Sequence, residues 1–132
     1  MKKPLTGINV VDLTHVLAGP YCSYQLSMLG AEVIKVESPK GDMTRTWGGD
    51  QEQVRMRMGT GFVAQNAGKR SIAIDITSER GSELVRELAK GADIFIENYR
   101  PGTMADHHLD HTSLAEGNPA LIYVSISAFG QD

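Results

Sequence analysis

The sequence predicts an α/β fold, a Rossmann-like parallel sheet with flanking helices. Short apolar runs of strand length alternate with longer segments in which apolar residues recur with helical spacing. Glycine follows two of the helical segments, as expected where a helix ends. Strands that alternate with helices form right-handed βαβ units, and these units place their strands side by side in a parallel sheet.

The first predicted βαβ unit covers the beginning of the chain. Residues 8–13 form an apolar run that predicts a strand, and residues 31–37 predict the next one. Between them we expect a helix over residues 20–29, because proline is tolerated in a first turn and Gly30 can end the helix. The predicted buried stripe of this helix consists of Cys22, Leu26 and Leu29.

The middle of the chain carries weaker signals. Residues 38–53 are polar and rich in glycine and aspartate, which predicts a loop. Residues 54–68 are ambiguous, and a helix over residues 61–65 is one interpretation. Residues 71–75 then predict a third strand.

Regular alternation returns in the second half. Thr77 or Ser78 is expected to cap a helix that runs to Lys90 and stops at Gly91. A fourth strand is predicted over residues 94–97. The predicted buried stripe of the helix consists of Leu84, Val85, Leu88 and Ala89.

A short helix and a fifth strand complete the prediction. The helix begins at Asp110 or Thr112 and is closed by the Gly-Asn-Pro sequence at 117–119, and residues 121–126 predict the strand. Only residues 127–132 come after it, although a parallel strand is normally covered on both faces. We therefore expect either an exposed apolar edge or a chain that is part of a longer protein.

Composition limits the class of protein. The 132 residues fit one domain, and 41% apolar with 22% charged residues are ordinary for a folded protein, so disorder is not expected. No run reaches the ~18–20 apolar residues of a membrane span. A net charge of -3 argues against nucleic acid as a partner. Cys22 is the single cysteine and no signal peptide is recognisable, and both features favour a cytoplasmic location.

Three candidate binding segments come directly after predicted strands, because ligands of open α/β sheets bind at the carboxyl ends of the strands. They cover residues 14–20, 37–42 and 97–102. In the first segment Gly19 allows close approach of the backbone, and the start of the predicted helix favours an anion. Each segment can equally be an ordinary surface turn.

Individual residues of these segments suit particular groups of a ligand. Glu37 ends the second predicted strand, where an acidic residue can bind a ribose hydroxyl. Arg100 is a good phosphate donor, unless a nearby carboxylate pairs with it. Asn98 can hydrogen-bond an amide or the edge of a base, and Tyr99 can stack.

Three other patterns are interpreted as structural. Residues 59–64 match G-x-G-x-x-A, but that motif must follow a buried strand, and residues 54–58 contain two arginines. His107 and His111 are spaced i, i+4, yet a metal site needs converging side chains, so we expect a polar loop and a helix start without metal. Cys22 lies on an apolar stripe and is expected to be a buried thiol.

Seven segments together resemble one known family. They are VVDLT at 10–14, LAGP at 17–20, LGAEVIKVE at 29–37, GDMTR at 41–45, KRSIAID at 69–75, ADIFIENYRPG at 92–102, and NP to FGQD at 118–132. In this order they resemble the class III CoA-transferase family, which includes formyl-CoA transferase, the carnitine CoA-transferases and α-methylacyl-CoA racemase. The resemblance covers nearly the whole chain. The His15-Val16 pair and residues 41–45 are most similar to the formyl-CoA transferase branch.

The resemblance implies a partial Rossmann-like CoA-binding domain over residues 1–132. It implies transfer of CoA between carboxylic acids through an aspartyl-CoA thioester, with CoA and acyl-CoA thioesters as substrates and no covalently bound cofactor. It also implies an interlocked homodimer. The implied CoA contacts are His15, Val16, Leu17, Ala18, Ser38, Ile74, Asp75, Ile76, Asn98, Tyr99 and Arg100.

The sequence departs from the family pattern at three places. The family's catalytic aspartate lies beyond Asp132, so we expect no catalytic residue and no second domain in the chain, and no activity of the chain alone. Leu17 stands where formyl-CoA transferases carry glutamine, which removes a polar contact. Asp106 stands where a phosphate-facing arginine is common, and its charge would repel CoA.

Three alternatives stay open at this point. A non-enzymatic CoA- or nucleotide-binding module, complete at this length, would bind without transfer. A fragment of an α-methylacyl-CoA racemase would share the same segments. A dinucleotide oxidoreductase domain would use residues 59–64 and Glu37.

Overall fold

The computed structural model of the protein describes residues 2–131. Its strands within these residues are β1 (Asn9–Asp12), β2 (Glu32–Glu37), β3 (Arg70–Ala73), β4 (Ile94–Glu97) and β5 (Ile122–Ser125). They form one sheet in the order β3-β2-β1-β4-β5, and every neighbouring pair is parallel. The strand order reverses between β1 and β4, as in a Rossmann-type sheet, so the predicted fold class is confirmed.

Helices connect the strands throughout the described part of the chain. They are α1 (Ala18–Met28), α2 (Gln51–Arg55), α3 (Thr60–Asn66), α4 (Glu79–Lys90), α5 (Thr103–Asp106) and α6 (His111–Ala115), together with a short 3-10 helix at Met43–Thr46. None of the helices in residues 2–131 has the length and apolar character that crossing a bilayer requires.

Most of the predicted helices lie where the sequence indicates. α1 begins at Ala18, earlier than the predicted start at Pro20. Ser78 caps α4, because its hydroxyl accepts a hydrogen bond from the Gly81 N–H at 3.1 Å. Asp110 caps α6 in the same way, and α3 confirms the helix that the sequence left ambiguous at residues 61–65.

The prediction of an uninterrupted loop over residues 38–53 is wrong. The 3-10 helix and the start of α2 both lie inside that segment. Asp50 and Gln53 form a capping box at the start of α2, a signal that their spacing in the sequence carries. The sequence analysis also did not predict α5.

Successive strand residues point into two apolar cores, one on each face of the sheet. Val11 and Phe95 lie in the larger core, where Val85 of α4 packs against them. Val10 lies in the other core with part-buried Cys22 and other apolar side chains of α1. Cys22 thus packs against this core but is only partly buried, whereas its position on a helical stripe predicts a buried thiol.

Two residues of the predicted buried stripes lie outside the cores. Leu29 is 46% exposed, because it follows the last residue of α1 and does not continue the helical stripe. Leu84 is 39% exposed, because the buried positions of α4 follow the line of Gly81, Val85 and Ala89, and Leu84 lies beside that line.

β5 forms one edge of the sheet and carries exposed apolar surface. Ile122 is 59% exposed, while Val124 is half-buried against the core that α1 covers. An exposed apolar edge is one of the two alternatives that the sequence analysis leaves open for this strand.

A buried ion pair joins the centre of the sheet to the helices on one face. The Lys69 ammonium lies 3.0 Å from the carboxylate of Asp12, at the end of β1. It also donates hydrogen bonds to the Pro20 carbonyl (2.9 Å), the Ser23 hydroxyl (2.7 Å) and the Asn66 amide oxygen (2.8 Å). Burial lowers the pKa of Lys69, and Asp12 opposes that shift by favouring the charged form. One side chain thus fixes the relative positions of β1, α1 and α3.

We expect Gly81→Ala to destabilise the protein strongly. A Cβ at position 81 would lie 1.8 Å from the Asp75 carbonyl oxygen, so the backbone must move. Such overpacking costs about 2 kcal/mol or more of the free energy of unfolding. The matched control is Gly91→Ala, whose Cβ meets no atom closer than 3.9 Å. Urea denaturation followed by circular dichroism measures both variants, and equal losses would contradict the steric explanation.

We expect Lys69→Met to lower the free energy of unfolding by about 3–5 kcal/mol, because it leaves the buried Asp12 carboxylate without a cation. The control is Lys90→Met, which breaks a 2.6 Å ion pair to Glu87 on the exposed face of α4 and costs about 0–1 kcal/mol. Chemical denaturation at neutral pH compares the two. A loss at position 69 no larger than that at position 90 would show that the buried pair is not important for stability.

Candidate functional site

A cleft lies at the carboxyl edge of the sheet, between the segments that follow β1, β2 and β4. Its volume is about 290 Å³. Three of the implied CoA contacts, His15, Ser38 and Tyr99, line it together, and Glu37, the candidate ribose ligand, lines it as well. Lys35 and Asp42 form part of its floor. The ends of strands thus converge on one cavity, as parallel topology dictates.

Asn98 connects the segment after β4 to the segment after β1. The His15 N–H donates to the Asn98 side-chain oxygen at 2.9 Å, and the Asn98 side-chain nitrogen donates to the His15 carbonyl at 2.8 Å. The ring of Tyr99 meets the ring of His15 edge-on, with centroids 5.0 Å apart. The His15 ring therefore has a defined place on the wall of the cleft.

The electrostatics at His15 favour a neutral ring. Burial lowers the pKa of His15 from its ordinary value, and the charge of Lys35 lowers it further, while Asp42 acts in the opposite direction. A neutral imidazole offers one donor and one acceptor to a ligand in the cleft.

Lys35 and Asp42 form the buried pair on the floor of the cleft. Their charged atoms lie 3.3 Å apart, and both side chains are almost fully removed from water. Lys35 also donates to the Thr14 carbonyl at 2.6 Å. Burial alone would raise the pKa of Asp42, but hydrogen bonds from Thr44 and the nearby Lys35 outweigh it and lower the pKa. The floor is therefore polar and carries compensated charge.

Glu37 is engaged by protein groups rather than open to a ribose. Arg45 donates to both of its oxygens, at 2.7 and 2.6 Å, and Ser71 and the Asp42 N–H donate as well. Burial acts to raise the pKa of Glu37, but these hydrogen bonds hold it at about 2. The ribose contact that strand-end geometry suggests for Glu37 would have to displace one of these partners.

The segment after His15 turns away from the cleft floor. Val16 is half-buried, and its φ of 71° lies in the left-handed region. Leu17 is 62% exposed, and Ala18 is the exposed first residue of α1. None of these three residues is among those that line the cleft.

The segment after β3 can present main-chain atoms to a ligand, but not its apolar side chains. Ile74 and Ile76 are buried in the larger core, so a ligand there can reach only their main-chain atoms. Asp75 is exposed, but its carboxylate accepts from the N–H and the hydroxyl of Thr77 at 3.0 and 2.7 Å. The sequence does not show which of these side chains point into the core. At the end of a strand, that orientation depends on the exact register of the strand in the sheet.

Arg100 lies in a neighbouring cavity. This cavity has a volume of about 300 Å³, and Glu97, Asp110 and Tyr123 are among its lining residues. Arg100 is exposed, and no ion pair to it is found within the described part of the chain. Its guanidinium is therefore open to an anion, in a different cavity from the one that His15 lines.

Two structural interpretations of the sequence agree with the observed geometry. Gly59 immediately precedes α3 after a turn rather than after a strand, so residues 59–64 lack the strand-to-helix context of a dinucleotide motif. His111 begins α6 and packs edge-on against the Tyr123 ring, with centroids 6.0 Å apart.

Lys35 was not among the residues that the sequence analysis assigned to the site, and Asp42 was included only as the last residue of the candidate segment 37–42. Lys35 lies within a strand, where a lysine is typical of a solvent-facing position. Only the tertiary contacts with Thr14 and Asp42 show that it is buried. Asp42 is marked in the sequence by its place after the second predicted strand and by the GDMTR segment at 41–45.

Comparison with known proteins gives a consistent result. The family model described as CoA-transferase family III matches residues 5–132. Succinate–glutarate CoA-transferase of Agrobacterium fabrum is 45% identical over 98% of this chain and 34% of its own length. Human succinyl-CoA:glutarate CoA-transferase is 44% identical over 98% of this chain and 29% of its own length. Formyl-CoA:oxalate CoA-transferase of Streptomyces coelicolor is 40% identical over 98% of this chain and 31% of its own length.

The same likeness extends to solved structures. The crystal structure of a CAIB/BAIF family protein from Brucella suis is 47% identical and superposes with a TM-score of 0.90, over 100% of this chain and 35% of that one. The chain thus spans about a third of the length of the relatives it matches. A family match over nearly all of its residues shows that the chain belongs to CoA-transferase family III.

Proposed function

We propose that the chain is the N-terminal part of a CoA-transferase that moves CoA between carboxylic acids, and that it supplies part of the CoA site. The observation that carries this proposal is the cleft at the carboxyl edge of the sheet, where His15, Ser38 and Tyr99 come together. These residues follow different strands, and the resemblance independently implies each of them as a CoA contact. Family membership supports CoA and acyl-CoA thioesters as the substrates.

Different parts of the site suit different parts of CoA. The exposed Arg100 guanidinium and the start of α1 favour the phosphates. The segment at residues 15–18 suits the pantetheine arm that leads to the thioester, and the main chain of residues 74–76 suits the adenosine end. Asn98 contributes indirectly, because both polar atoms of its side chain are already bound to His15.

Transfer requires a nucleophile that residues 1–132 do not provide in this proposal. The resemblance implies an aspartate beyond Asp132, which would carry CoA as an aspartyl-CoA thioester between donor and acceptor acids. An interlocked homodimer of the whole protein is proposed on the same ground. The names of the relatives include glutarate, succinyl, formyl and oxalate substrates, and their similar identities do not select among these acids.

These relatives are CoA-transferases, which favours transfer over racemisation. A cytoplasmic location stays a prediction that rests on the single Cys22.

We expect the chain to bind CoA and Arg100→Glu to weaken that binding about tenfold, because a charge-assisted hydrogen bond to phosphate is replaced by repulsion. Arg80→Glu is the matched control, since Arg80 is an exposed arginine of α4 outside the cleft. Isothermal titration calorimetry at fixed salt measures the three dissociation constants. If both variants bind like the unmodified chain, Arg100 does not contact CoA; if no protein binds, the CoA site itself is not formed by these residues.

We expect no CoA transfer by the chain alone, because the nucleophile is proposed to lie outside it. The chain is mixed with succinyl-CoA and with glutarate or oxalate, and new acyl-CoA is measured by liquid chromatography and mass spectrometry. Turnover above the uncatalysed rate would place a nucleophile within residues 1–132 and overturn that part of the proposal.

A further inference from the structure

The backbone of Val16 adopts a conformation that its side chain disfavours. Its φ is 71°, in the left-handed region, and valine is branched at Cβ. Such a conformation is a genuine outlier for a β-branched residue, because Cβ crowds the neighbouring carbonyl. It persists only where the surrounding structure determines it more strongly than local sterics do.

Side chains from separate elements hold the backbone of residues 14–17. Lys35 of β2 donates to the Thr14 carbonyl at 2.6 Å, and Asn98 binds both backbone groups of His15. The Val16 N–H donates to the Asp42 carboxylate at 3.3 Å. Together, these contacts explain how the N-terminal side of the turn at Val16 is held.

Gln65 holds the other side of the same turn. With its amide nitrogen facing the loop, the orientation that satisfies the hydrogen-bonding groups around it, Gln65 donates to the Leu17 carbonyl at 2.8 Å and to the Val16 carbonyl at 3.3 Å. Gln65 lies on α3, is half-buried and is not among the residues that line the cleft. Its role at the loop is therefore separable from direct contact with a ligand in the cleft.

We propose that Gln65 is a positioning residue for the CoA site: by binding the carbonyls of Val16 and Leu17 it keeps Val16 left-handed and presents His15 to the cleft. This inference rests on the proposed function, because it assumes that the loop contacts CoA. It assigns to α3 a role at the site, although α3 contributes no side chain to the wall of the cleft.

The test compares Gln65→Leu with Gln25→Leu. Leucine is close to glutamine in size but cannot donate to the two carbonyls, and Gln25 is an exposed glutamine of α1. We expect Gln65→Leu to move the backbone carbon chemical shifts of Val16 away from left-handed values. We also expect it to weaken CoA binding about tenfold, which corresponds to roughly 1.4 kcal/mol. Gln25→Leu should change neither quantity.

A second comparison tests whether Gln65 acts through Val16. Glycine adopts left-handed φ without the crowding that valine suffers, so the loop should depend less on Gln65 once position 16 is changed. In the Val16→Gly background, we expect Gln65→Leu to weaken CoA binding by less than about threefold, against about tenfold in the unmodified chain. An equal loss in both backgrounds would overturn a role through the conformation of Val16.

The two readouts separate the inference from the proposed function. If the Val16 chemical shifts do not change in Gln65→Leu, Gln65 does not hold the loop, whether or not CoA binds. If the shifts change but the affinity for CoA does not, Gln65 holds the loop but does not position it for CoA, and the proposal is overturned. Absence of CoA binding by the unmodified chain would overturn the proposed function, while the Val16 shifts would still decide whether Gln65 holds the loop. If Gln65→Leu does not fold, Gln65→Glu removes the same donors at constant size.

Discussion

Buried lysine side chains need carboxylate partners, because no water is there to stabilise their charge. This requirement determines how the carboxyl edge of the sheet is built. Lys35 and Lys69 both bring an ammonium group into the interior, where an isolated charge is very unfavourable. Each meets a carboxylate, Asp42 for the first and Asp12 for the second, and each also donates to backbone or side-chain oxygens around it. The segments that carry these groups cannot take up independent positions. If one segment moved, the buried charge on another would lose its partner of opposite charge.

This constraint explains why the site is ordered although it consists largely of loops. β1 ends at Asp12, which is held by Lys69, and the segment after it contains Thr14, which is held by Lys35. The segment after β2 contains Asp42, whose carboxylate meets both Lys35 and the Val16 N–H. Apolar cores on both faces of the sheet place the strands, and the buried charges then fix the loops at the carboxyl ends of β1 and β2.

The sequence predicts the parts of this structure that depend on periodicity and on strand topology. Alternating strands and helices are sufficient for the parallel sheet, and the rule that strand ends share an edge brings His15, Ser38 and Tyr99 together. The sequence is less informative where tertiary packing determines which side chains are buried. Leu84 has the residue type of a buried position but faces outward, and the burial of Lys35 depends on partners that no local pattern marks. The left-handed φ of Val16 is likewise invisible in the sequence, since valine is among the residues least suited to it.

Asn98 has a mechanical consequence for the sheet. It joins the segment after β4 to the segment after β1, across the point where the strand order reverses. β1 continues on one side into β2 and β3, while β4 continues on the other into β5. Separating these two segments at the mouth of the sheet would break both hydrogen bonds between Asn98 and His15. The spacing between the two segments is therefore set by contacts within the protein before any ligand arrives.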